Sequence, residues 1–196
     1  MPTALNLPPL ILASASPRRR ELLSEMGFTF QVEPARVEEV HDPTAPLLRL
    51  TRENAALKAW EVSERFPNAL VIGADTLVSI ESTPLGKPAD FSEACAMLRR
   101  LSGNEHEVCT AVCLTQAVSF RSVCFEVVTR VQFRRLTEQA IDNYLTRIDP
   151  LDKAGAYAAQ EHGEMIIEKM DGSFTNVVGL PTERLAVELQ LWQSHT

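Results

Sequence analysis

The chain has 196 residues, 45% of them hydrophobic and 23% charged, with a formal net charge of −7. That supports one well-formed globular core and argues against a polynucleotide partner, which calls for a basic face. Local basic clusters in an acidic chain point instead to a small anionic ligand.

Met1–Asn6 lacks the basic start and apolar run of a secretory signal, and no stretch has the length of a membrane span. The apolar run Leu10-Ile11-Leu12-Ala13 reads as a short buried strand. Ser14-Ala15-Ser16-Pro17-Arg18-Arg19-Arg20 follows, then an amphipathic helix with Leu22, Leu23 and Met26 on one face, closed by Gly27. Ser16 before Pro17 is an N-cap with proline at the first helical position. Capping does not explain three cations in a first turn, where the helix dipole disfavours positive charge. Free N–H groups and guanidinium forks together suit an anion such as phosphate.

Phe28–Val32 alternates like a half-buried strand, and residues 33–46 are polar, proline-bearing and loop-like. A long helix is expected from Leu47 to about Phe66, with Leu47, Leu50, Leu57 and Trp60 on its buried stripe. Ala69–Ala74 reads as a strand buried on both faces, which places Asp75 just beyond its end. Asp90-Phe91-Ser92-Glu93 has the form of a capping box and opens a helix to Leu101. Two β-rich stretches follow, Val108–Leu114 and Phe120–Phe133. A helix at Thr137–Ile148, a short strand at Met165–Ile167 and a last helix at Thr182–Trp192 complete the pattern. The whole chain, 1–196, reads as a single α/β unit with a mixed sheet.

Cys95, Cys109, Cys113 and Cys124 show no CxxC spacing. Cys109 and Cys113 fall on one predicted strand, roughly 13 Å apart at about 3.3 Å per residue, too far for one disulfide or one zinc. All four are expected to be buried thiols of a cytoplasmic protein. The four scattered histidines argue against a histidine-rich metal site.

Asp75, at the end of a buried strand, lies where ligands gather in open α/β sheets. An ordinary Asp is a weak base for water, with a pKa near about 3.9, and works best beside a divalent metal. Taken alone it reads more readily as a turn or cap residue than as a catalytic one. Gly86-Lys87-Pro88 offers a lysine on a stiff turn. Lys58 lies on the long helix, with Glu53 nearby as an ordinary ion-pair partner, and Glu39 lies in the preceding loop. No Gly-x-Ser-x-Gly elbow supports Ser14 or Ser16 as a nucleophile.

In order along the chain stand Leu12-Ala13-Ser14-Ala15-Ser16-Pro17-Arg18-Arg19, Glu39, Lys58-Ala59, Gly73-Ala74-Asp75-Thr76, Gly86-Lys87-Pro88, Leu101-Ser102-Gly103, Asp152-Lys153-Ala154-Gly155-Ala156-Tyr157 and Val178-Gly179-Leu180-Pro181. The set closely resembles the Maf family of nucleoside triphosphate pyrophosphatases. The resemblance implies an inosine-triphosphatase-like fold: an elongated mixed sheet flanked by helices, with two lobes around a central cleft. It implies hydrolysis of a nucleoside triphosphate to monophosphate and pyrophosphate with a divalent cation, Mg²⁺ or Mn²⁺. Asp75 matches the proton acceptor of the family, and Ser14, Arg19, Glu39, Lys58 and Lys87 match its polar cleft residues. Arg18, Thr76 and Gln160 match the positions that separate subfamilies, and all three carry the residues of the dTTP/UTP branch. A Gln amide suits the imide edge of uracil or thymine, offering a donor beside an acceptor. The chain departs from the usual Tyr-x-Ile-Gln-Gly with Tyr157-Ala158-Ala159-Gln160-Glu161, and it has Phe174 and Asp149 where Tyr and Glu are common. The resemblance also suggests a homodimer. Its alternative implication is a nucleotide-binding regulator of septum formation or cell division.

Overall fold

A computed structural model describes residues 7–42 and 44–194. The expectation for Met1–Asn6 lies outside them. Local signals set the first elements. Strand β1 (Leu10–Leu12) leads into helix α1 (Pro17–Glu25), where the Ser16 hydroxyl accepts from Arg19 N at 3.5 Å and Pro17 opens the helix. Helix α2 (Leu47–Arg65) follows strand β2 (Phe30–Val32), and helix α3 (Phe91–Leu101) starts where Asp90 Oδ1 accepts from Glu93 N at 2.8 Å.

The long strands β3 (Leu70–Ile80), β5 (Glu105–Gln116) and β6 (Arg121–Phe133) form the middle of a seven-stranded sheet ordered β2-β1-β3-β5-β6-β7, with β7 at Ile167–Asp171. A short strand β4 (Thr83–Leu85) folds back on the far end of β3. β1 lies parallel to β2 and β3, and the remaining pairs are antiparallel. Helices α4 (Glu138–Leu145), α5 (Phe174–Val178) and α6 (Thr182–Ser194) complete the set.

β3 passes through separate apolar clusters. Its first half packs Leu70 and Ile72 with Leu12, Leu23, Leu114 and Leu189 on one face, and Val71 with Ile11, Ala55 and Ala59 on the other. Its second half places Val78 and Ile80 with Leu98, Phe133 and Tyr144. These are two lobes on one continuous strand. Along one edge, β1 pairs with Leu70–Ile72 and β4 with Val78–Ile80, while β5 pairs along the other. Gly73–Leu77 therefore have a strand on one side only, and the cleft opens at this gap.

Several expectations are corrected. β3 does not stop at Ala74. It continues because β5 pairs without interruption and β4 replaces β1, so Asp75 sits in mid-strand instead of in a turn or just past a strand end. On α2, Leu57 and Trp60 are exposed, at 40% and 38%. The buried stripe is Leu50, Thr51, Asn54, Ala55, Ala59, Val62 and Ser63, because small residues let the helix approach the sheet at Gly73. Residues 163–165 form a helical turn and the strand begins at Ile167, while α5 was not expected at all. Cys113 and Cys124 are not free thiols. The β5–β6 hairpin sets them directly opposite, with Cα atoms 4.2 Å apart, and they form a disulfide. Cys95 and Cys109 are buried free thiols as expected. Among the described residues no helix is long and apolar enough to cross a membrane.

Candidate active site

Gly73 determines how closely α2 lies on β3. A Cβ built on Gly73 would stand 2.4 Å from Ala55 O and 2.7 Å from Ala59 Cβ, well inside contact distance. This close approach brings Lys58, the residue before Ala59, over the next turn of sheet. Its Nζ lies 2.7 Å from Asp75 Oδ1 and 2.6 Å from Glu39 Oε1, an ion-pair bridge from helix to strand to loop. Glu53 pairs with Arg49 instead, at 2.8 Å. Burial disfavours the Glu39 charge, but the hydrogen bond and charge of Lys58, helped by Lys87 and His41, outweigh it and hold the carboxyl below its ordinary range.

The arginine-rich turn meets this cluster from the other face of β3. Arg19 donates from Nε to Gly179 O at 2.9 Å, from Nη1 to Ser14 Oγ at 3.2 Å and from Nη2 to Thr76 Oγ1 at 3.0 Å. Five N–H groups are available on a guanidinium, so two remain for a ligand. Thr76 also bonds Thr110 at 2.9 Å, whose backbone N donates to the buried Asn176 side chain at 3.1 Å. Sequence reasoning missed Thr110 and Asn176, and marked Gly179 only as part of a motif without a role, because nothing local identifies a residue whose role is to hold another.

Both faces line one cleft of about 770 Å³, large enough for a nucleotide. Its lining includes Ser14, Arg18, Arg19, Glu39, Lys58, Asp75, Thr76, Lys87 and Gln160, so every sequence-predicted site residue is brought to it. Lys87 is held on the turn after β4, where Gly86 O accepts from Gly155 N at 3.0 Å. Arg18 Nη1 lies 3.3 Å from Asp152 Oδ2, and Gln160 stands exposed on the same wall.

Asp75 Oδ2 is a buried acceptor with no hydrogen-bond partner among the described residues. It leaves an oxygen open to a ligand, and Glu39, joined to Asp75 through the shared Lys58 ammonium, adds a carboxylate of the kind that fits a hard divalent cation. Among the described residues no group of three or more His, Cys, Asp or Glu is gathered as a ligand set. A cation held here would complete its shell with phosphate oxygens and water, as Mg²⁺ does.

A family model described as Maf-like protein matches residues 9–192. A dTTP/UTP pyrophosphatase of Akkermansia muciniphila is 50% identical over 175 residues, 89% of this chain and 92% of that protein. One of the same description from Bdellovibrio bacteriovorus is 45% identical over 183 residues, covering 90% and 94% of the two chains. The solved structure of the Staphylococcus aureus Ham1 protein superposes with a TM-score of 0.52 at 11% identity, over 95% of this chain and 99% of that one. At that identity the likeness concerns the fold alone.

Proposed function

The chain belongs to the Maf family, and from that premise we propose that it is a nucleoside triphosphate pyrophosphatase acting on dTTP and UTP. The observation that carries the reading is the Glu39–Lys58–Asp75 cluster facing Arg19 across one cleft. Two carboxylates and several cations around a nucleotide-sized space suit a charged phosphoanhydride and a water to attack it.

In this reading the spare N–H groups of Arg19, with Lys87 and Ser14, bind phosphoryl oxygens and orient the chain of phosphates. Lys58 fixes Asp75 through Oδ1, which leaves Oδ2 as the acceptor for the proton of the attacking water. The water oxygen bonds to phosphorus, the α–β anhydride bond breaks, and pyrophosphate leaves. Glu39, with the phosphate oxygens, would hold a divalent cation, Mg²⁺ or Mn²⁺, next to Asp75. Such an ion, when bound, lowers the pKa of water and offsets phosphate charge. Arg18, Thr76 and Gln160 select the base, Gln160 by presenting an amide donor and acceptor to the pyrimidine imide edge. The acidic net charge accords with free nucleotides rather than a polymer, and the reading includes a cytoplasmic homodimer.

The test is pyrophosphate release from a panel of pyrimidine and purine triphosphates with Mg²⁺ or Mn²⁺. Faster turnover of dTTP and UTP than of purines is expected. No release from any triphosphate would overturn the reading.

A further inference from the structure

The wall carrying Arg18 and Gln160 is organised around a buried lysine that the proposed reaction does not use. Lys153 is 4% exposed. Its ammonium donates to Asp149 O at 2.7 Å and to Asp152 Oδ1 at 2.8 Å, and lies 3.6 Å from Glu161 Oε1. The second oxygen of Asp152 takes Arg18 Nη1 at 3.3 Å. One cation thus gathers three acceptors from a single loop, with an outward link to Arg18 at one end and Gln160 next to Glu161 at the other.

A buried ammonium must be satisfied, and two hydrogen bonds with the nearby Glu161 charge satisfy it while fixing the loop geometry. Arg18 is a long, flexible side chain that would otherwise sample many rotamers at the cleft mouth. Asp152 limits that freedom, and Lys153 in turn orients Asp152. Glu161 stands where the family pattern has glycine. Here it supplies a third, anionic arm that ties down the residue following Gln160.

We propose that Lys153 and Asp152 are positioning residues for base selection, holding Arg18 at one end of the wall and Gln160, through Glu161, at the other. This rests on the reading of Arg18 and Gln160 as base-selecting residues. Neither positioning residue need touch the substrate. Their loss changes which triphosphate is preferred more than how fast the anhydride is cleaved.

The experiment compares kcat and KM for dTTP, UTP and GTP across Lys153→Met, Asp152→Asn and Arg18→Ala, with thermal unfolding in parallel. Asp152 is 48% exposed, so Asp152→Asn keeps the fold and remains decisive if Lys153→Met does not fold. The expected result is a fall in the dTTP:GTP ratio of kcat/KM of roughly 3-fold or more, residing mainly in KM. Asp152→Asn added to Arg18→Ala should produce little further change in that ratio, because the two act as one unit. Glu161→Gly should shift the ratio through Gln160 while leaving the Arg18–Asp152 coupling intact. Equal losses for all three substrates, an unchanged ratio in Asp152→Asn, or fully additive effects with Arg18→Ala would overturn the proposal. A parent enzyme without pyrimidine preference would instead overturn the assignment of substrate, so the two failures are distinct.

Discussion

Asp75 has two unlike oxygens, one fixed by Lys58 and one buried with no hydrogen-bond partner among the described residues. Asp75→Asn preserves shape but replaces one oxygen with an amide that cannot accept a proton. Pyrophosphate release is expected to fall by roughly 10²-fold or more, with the folded state retained by circular dichroism. A folded variant with parental turnover would remove Asp75 from the reaction. Gln160 differs in kind, being exposed on the cleft wall, so its replacement should leave stability alone. Gln160→Glu removes the amide donor that, in the proposed reading, meets a pyrimidine carbonyl. Mismatching that contact costs about 1–3 kcal/mol once the base covers it, so kcat/KM for dTTP and UTP should drop roughly 5- to 150-fold. A purine triphosphate should lose much less. Equal losses for both would show that Gln160 does not read the base. Residue chemistry alone left Asp75, Lys58 and Glu39 as separate weak signals. Their convergence depends on distances across α2, β3 and a loop, to which spacing along the chain gives no access.

At the scale of elements, α2 against β3 is the contact on which the carboxylate–lysine cluster depends. Gly73→Ala would drive a methyl group into the backbone of Ala55 and Ala59, at 2.4 and 2.6 Å, where no side chain can swing aside. Such overpacking costs about 1–3 kcal/mol, and a helix pushed outward carries Lys58 away from Asp75. Both a lower denaturation midpoint and a reduced kcat are expected. An unaltered kcat would mean that Lys58 reaches Asp75 without this close packing. Elements with strong local signals, such as the Ser16-Pro17 start of α1 and the Asp90 cap of α3, were readable from sequence. The second half of β3 was not, although Thr76, Val78 and Ile80 are β-branched, because Asp75 reads as a strand end until the pairing with β4 and β5 is known. The misplaced stripe on α2 has a related cause: Leu57 and Trp60 are the more apolar side chains, but only the small ones fit against Gly73. The Cys113–Cys124 pairing likewise appears only when the hairpin register is known.

Across the whole molecule, α/β class and a mixed sheet followed from alternating strand and helix signals, whereas the two-lobed form came only from family likeness. One lobe contains a buried titratable group. His106 meets Tyr157 Oη at 2.8 Å and lies edge-on to Phe133 at 4.8 Å between ring centroids. Burial pushes its pKa from 6.5 down to about 4, only partly opposed by the backbone at Asn104. The folded state therefore keeps the ring neutral while the unfolded chain takes up a proton below its ordinary pKa. Stability from this site is complete above about pH 6.5 and erodes as pH falls toward about 4, by about 3 kcal/mol at most. His106→Gln retains a partner for Tyr157 but does not titrate. Urea unfolding at pH 7.5 and 4.5 should show a larger loss for the parent than for this variant. Equal losses would place the acid sensitivity elsewhere.

The missing strand beside Gly73–Leu77 also has a signature in solvent exchange. Leu70 N donates to Pro9 O and Ile72 O accepts from Ala13 N, each at 2.9 Å, so even-numbered residues of β3 direct their amides toward the β1 side. At Thr76, which lines the cleft, that side is open, whereas Gly73, Asp75 and Leu77 face β5. Deuterium uptake should therefore be faster at Thr76 than at Asp75 and Leu77 on either side of it. A non-hydrolysed triphosphate analogue seated against this edge would slow the Thr76 amide and leave its neighbours unchanged. Uniform protection from Gly73 to Leu77 in the ligand-free protein would mean that the bare edge is closed in solution.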